Sequence, residues 1–175
     1  MTNPPTGPLA LPAMVTATVT FYSVVVFFHI AAVVIGFGPT FAYGAYMATA
    51  QREGGGAIPT IGRTMVLWDR TALTGAMTLI LITGIYLASD GPYGMGSFFI
   101  SWGFVAIVIL FGLGHGFFIP RTKRAVELAE RDLATPGGKL SAEFEAVSGQ
   151  LAKVGIAAGL LVILTIYVMT AKPFL

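Results

Sequence analysis

The chain contains no cysteine, which removes disulfides, thiolate nucleophiles and cysteine-based metal sites together. Charge is also scarce: Asp, Glu, Lys and Arg make up 10% of the 175 residues, against about 25% in an ordinary soluble domain. No charged side chain precedes Arg52. Residues 1–13 therefore lack the positively charged start of a secretory signal, and the first apolar run reads as a permanent membrane helix behind a tail carrying Pro4, Pro5, Pro8 and Pro12. No Gly-rich phosphate loop, nucleophile elbow or metalloprotease helix is present. The seven methionines form no Met-x-x-Met cluster, which speaks against a copper site. The formal charge of +2 is spread over short loops and not gathered in one stripe, so nucleic acid is not an expected partner.

Hydrophobic side chains fill this space: they make up 55% of the chain, and the mean hydropathy is +0.82. Crossing the hydrocarbon core takes about 20 apolar residues as a helix. Four stretches qualify, at about 13–37, 71–88, 98–119 and 154–171, within a single integral-membrane domain over residues 1–175. The expected fold is all-α, a four-helix transmembrane bundle of up-down topology. Its partner is the lipid bilayer. Gly36, Gly38 and Pro39 punctuate the first helix, with a kinked extension expected over residues 42–50. Alternating charged and apolar residues over 125–134 extend the third helix beyond the membrane, and Pro136-Gly137-Gly138 ends it. Ser141 is a good N-cap for a helix that leads into the fourth span, with Glu143 in its first turn.

Basic residues orient the bundle. Arg52, Arg63 and Arg70 fall in the first loop, and Arg121, Lys123, Arg124, Arg131, Lys139 and Lys153 in the third. The second loop has none, and only Lys172 follows the fourth span. By the positive-inside rule the first and third loops are cytoplasmic and both termini are outside.

The chain's only histidines, His29 and His115, each sit inside an apolar span. An intramembrane ionisable side chain is a functional-site hypothesis by default. Counting from the span limits places both in the cytoplasmic half, within about one helical turn of each other in depth. The first and third helices lie diagonally across an up-down bundle. Two inward imidazoles at one depth on such helices are what a bis-histidine iron needs, so His29 and His115 are the expected metal ligands of a b-type haem. Gly112, Gly114 and Gly116 around His115 would admit a porphyrin edge, and Thr71, Thr74, Gly75 and Thr78 form a small polar stripe on the second helix. Arg70, Arg121 and Arg124 are candidates to pair with haem propionates; their plainer role is orientation and contact with anionic lipid. The competing reading of the histidines is a hydrogen bond to threonine or tyrosine across the bundle, or proton handling. For the glycines it is close helix packing, as expected at Gly155 and Gly159. Trp68-Asp69-Arg70 opens the second span, where a tryptophan commonly anchors at the headgroups.

The run Phe28 to Gly36 around His29, and the stretch from Trp102 to Gly114-His115-Gly116, carry a resemblance. Over residues 21–132 the chain resembles a bacterial family of four-helix integral membrane proteins of unknown function, and more distantly the CopD-like copper-resistance proteins and HemJ-type protoporphyrinogen oxidases. The resemblance implies a bacterial cytoplasmic (inner) membrane location and, from the HemJ type, haem on the residue matching His29. The lysine that follows the tryptophan in HemJ-type proteins is missing from Trp102-Gly103-Phe104-Val105-Ala106, which argues against protoporphyrinogen oxidation. The expected function is thus one haem between the first and third helices, serving electron transfer or haem handling. The alternatives are a cofactor-free accessory or scaffold subunit of a membrane complex, or a small homo-oligomeric transporter.

Overall fold

The computed structural model describes residues 19–173; the Pro-rich tail and the expected first-span residues 13–18 lie outside them. Four long helices form an all-α up-down bundle: α1 (Phe21–Arg52), α2 (Ile58–Asp90), α3 (Phe98–Asp132) and α4 (Ala142–Ala171). At 1.5 Å per residue these run to about 45–52 Å, well beyond a hydrocarbon core of about 30 Å. The bundle therefore stands out of the membrane at one end, the end carrying the basic loops.

Several limits differ from those expected, each for a local reason. Helix α1 begins at Phe21 because Thr20 is extended and exchanges reciprocal hydrogen bonds with Ser23, a capping box. Gly38 and Pro39 do not end it: the chain tightens into a 3₁₀ turn (Gly38–Ala42), and the Thr40 hydroxyl donates to the Phe37 carbonyl at 2.7 Å. Residues 58–70, read from sequence as loop, form the first part of α2. Pro59 sits in its first turn, and Ile58, Gly62, Met65 and Val66 make its buried face. The reversal before it is short because Gly54 (φ 89°) and Gly55 (φ 82°) take the left-handed conformation. Ser141 caps α4 as expected, accepting from the Phe144 N–H, with Glu143 in the first turn.

Neighbouring helices pack in chain order and the ring closes. Gly36 meets Ala76 between α1 and α2, Gly62 meets Val126 between α2 and α3, and Gly159 meets Phe41 between α4 and α1. The Trp102 indole joins α3 to α4 by donating to the Thr165 hydroxyl at 3.1 Å. Gly159 thus packs, half-buried, against a neighbouring helix. A Cβ at Gly36 would lie 2.5 Å from the Ala76 Cβ, which is fixed to the α2 backbone. Gly36→Ala is expected to force α1 and α2 apart at a cost of about 1–3 kcal/mol. Gly38→Ala, where no atom stands within 4 Å, is its control; thermal unfolding in detergent should separate the two.

Two of the three core clusters differ in their physics. In the apolar layer all four helices contribute to one cluster, including Ala32, Met77, Ile107 and Val162, while Phe27, Ile30, Val108 and Ile156 face outward. Lipid is as apolar as leucine, so this outward face needs no cover. On the loop side Ala50, Ile58, Ala125, Leu128, Ala129 and Phe144 are 0–2% exposed. That layer stands in water and is held by hydrophobic burial.

The turn joining α3 to α4 lies outside the bilayer and closes on Asp132. Its carboxylate accepts from the Ser141 N–H at 2.8 Å and from the Arg131 guanidinium. Hydrogen bonds from Ser141, then Arg131, hold it at about 2 against an ordinary 3.8. A depressed carboxylate contributes stability above its unfolded pKa and loses it as pH falls through the folded value. Amide exchange over residues 133–140 should therefore accelerate between about pH 4 and pH 2, and Asp132→Asn should remove that dependence.

Candidate functional site

Two turns in the bundle are wide. Helix α2 forms a π-turn at Asp69–Leu73 and α3 forms one at Gly114–Phe118. A proline lacks its N–H and crowds the carbonyl four residues back; the wide turn of α3 ends just before Pro120, so the helix passes it unbroken. One inserted residue rotates everything beyond it by about 100°. In α2 that rotation turns Asp69 inward, where it is 6% exposed, and leaves Arg70 outside. Such π-turns occur frequently at functional sites.

The two turns face each other and gather a polar cluster from three helices. The Tyr43 hydroxyl of α1 donates to the Asp69 carboxylate at 3.1 Å. The Thr74 hydroxyl donates to the Asp69 backbone carbonyl at 2.6 Å, and its oxygen lies 3.3 Å from His115 Nε2. His115 Nδ1 lies 3.2 Å from the Phe111 carbonyl, and the ring stacks on Phe111 with centroids 4.5 Å apart.

His29 makes a second, separate site. Its Nδ1 is 2.8 Å from the hydroxyl of buried Thr83, which donates in turn to the Leu79 carbonyl at 2.6 Å. Its Cε1 lies 3.5 Å from where a Cβ would stand on Gly84.

The histidines are not at matched depth. They engage α2 at Thr83 and Thr74, nine positions or about 13 Å apart along the axis. The discrepancy arises because α1 starts at Phe21 and runs on past Pro39, which moves His29 away from the end carrying the basic loops. His115 is exposed on the bundle's outer surface, so the two rings do not converge on one iron as they stand. Among the described residues no three His, Asp or Glu side chains gather as a metal-ligand set. A cleft of about 430 Å³ between α1 and α2, lined by residues such as Phe28, Ile35, Gly75 and Leu79, contains neither histidine.

The three candidate arginines are dispersed. Arg70 is exposed beside Asp69. The Arg121 guanidinium lies 4.6 Å over the Phe117 ring. Arg124 pairs with Glu143 at 2.7 Å and Glu127 at 3.4 Å. Sequence reasoning marked Thr74 within a polar stripe but assigned Asp69 only to the interface and did not single out Tyr43. The available signal was an acidic residue directly before an apolar run; the wide turn that buries it has no sequence signature.

Fold and site together define a multi-pass integral membrane protein with ionisable groups inside the bundle. The chain belongs to the family described as predicted integral membrane protein (DUF2269), whose model matches residues 23–173. No curated protein and no solved structure matches it.

Proposed function

We propose that the protein handles protons at the membrane, with Asp69 as the group that loads from the cytoplasmic side. The observation behind this reading is the buried Asp69 carboxylate, which accepts from Tyr43, at two facing wide turns where Thr74 connects the Asp69 backbone carbonyl to His115. Intramembrane carboxylate and histidine groups in series are the usual parts of proton relays. The second polar station is His29 with Thr83. Between the two stands the apolar core of Ala76, Met77 and Ile80, so a proton passes from one to the other only when that core opens to water. This favours a proton-coupled carrier over an open channel.

Proteoliposomes with an entrapped pH dye and an imposed potassium diffusion potential test this reading. Wild-type protein should take up protons above the protein-free rate, and Asp69→Asn should fall to that rate while Arg52→Gln does not. Uptake that is equal in wild type and Asp69→Asn, or absent in both, would overturn it.

A second reading, haem b for electron transfer or haem handling, is favoured by one feature. His115 is exposed, and nothing stands within 4 Å of a Cβ at Gly112 or Gly116, which leaves open space beside the ring. Binding there would require His115 to give up Thr74 and would take one ligand from each copy of the chain. Oxidised and reduced absorption spectra decide it: a Soret band lost in His115→Ala but kept in His29→Ala would support it, and a featureless spectrum would end it.

A further inference from the structure

On the loop side, a cleft of about 220 Å³ opens between α2 and α3, lined by Arg63, Val66, Lys123, Val126 and Glu127. We propose that this cleft holds the phosphodiester headgroup of an anionic phospholipid. Three observations carry the assignment.

The first is depth. Lys123 stands four residues beyond Ile119 and Arg63 eight residues before Thr71, about 6 and 12 Å past the ends of the apolar runs. Headgroups occupy roughly the first 5–8 Å beyond the hydrocarbon, and long basic side chains reach back toward that level along apolar surface, here Val66 and Val126.

The second is charge. The carboxylate in the cleft, Glu127, is held by Arg124 at 3.4 Å, and neighbouring Glu130 is held by Arg63. Lys123 has no ion partner among the described residues, nor do Arg70 and Arg121, which lie nearer the bilayer. The mouth therefore keeps positive charge that an anionic headgroup neutralises. A choline headgroup would bring a cation of its own. Basic pockets between spanning helices on the cytoplasmic side bind anionic headgroups for this reason.

The third is the path for the acyl chain. Toward the bilayer the α2–α3 seam passes the Thr74–His115 contact. Gly116, next to His115, has no atom within 4 Å of a Cβ position, which leaves open space on the α3 side of that seam.

Native mass spectrometry of the detergent-purified full chain, incubated with equimolar phosphatidylglycerol and phosphatidylcholine, tests the proposal. Retained lipid should be predominantly phosphatidylglycerol. Each basic residue near the surface contributes enough to change binding about fivefold. Lys123→Gln should therefore weaken phosphatidylglycerol retention about fivefold, while Lys153→Gln leaves it unchanged. Lys123 is exposed and without an ion partner among the described residues, so its substitution leaves the fold intact. Equal retention of the two lipids, or retention unchanged by Lys123→Gln, would overturn the proposal. Displacement by soluble glycerol phosphate at the same concentration would also overturn it, by assigning the cleft to a free phosphate.

Discussion

Phe144→Ala is expected to lower the unfolding free energy by about 3–5 kcal/mol, the cost of deleting a buried phenyl ring and leaving its cavity. Phe144 is 0% exposed and packs among Ala50, Ile58, Ala125, Leu128 and Ala129, so it joins the start of α4 to the other three helices. These neighbours are helix-borne and mostly small, and they cannot collapse far into the vacated space. The same deletion in the apolar layer, Phe37→Ala, should cost clearly less. Phe37 is 8% exposed in the interior cluster at membrane level, where lipid removes the hydrophobic term and only packing is lost. Guanidinium unfolding of the detergent-solubilised protein compares the two, and an equal or larger effect at Phe37 would contradict the two-layer account.

The second large effect is at Asp69, where two substitutions should divide structure from chemistry. Asp69→Ala leaves the Tyr43 hydroxyl without its acceptor, a loss of about 1–3 kcal/mol for a stranded buried polar group. Asp69→Asn keeps an oxygen for Tyr43 and nearly the same volume, so stability should stay close to wild type while proton uptake disappears. Tyr43→Phe should behave in the opposite sense, retaining the titrating carboxyl but removing its donor. If Asp69→Asn unfolds as readily as Asp69→Ala, the carboxylate's role is structural.

Much of the fold is written in the sequence at a scale of 20 residues. Apolar length marked the four helices, and Ser141 marked the start of α4 because a cap is a local contact between near neighbours. The limits that moved did so where tertiary packing overrides a local breaker. Pro39 and Pro120 are not such cases: the extensions expected beyond them are present, and a 3₁₀ turn and a π-turn absorb the prolines. Residues 58–70 are helical because Ile58, Met65 and Val66 gain a buried face against α3, although the charges among them resemble a loop. The candidate site was legible as residue types and not as geometry. His29 and His115 stood out by rarity, yet their depth depends on where α1 begins, and a cap at Thr20 moved it. Asp69 is buried by an inserted residue in one turn of α2, which no periodicity shows.

Infrared difference spectroscopy of the reconstituted protein across a pH step tests the central claim most directly, because a carboxyl in this network reports its own hydrogen bonds. The account predicts a carboxyl C=O band that vanishes in Asp69→Asn, shifts in frequency in Tyr43→Phe, responds to His115→Gln, and is unmoved by His29→Gln, since His29 bonds to Thr83 a separate distance along α2. A carboxyl band that survives Asp69→Asn, or one that answers to His29 and not to His115, would contradict it.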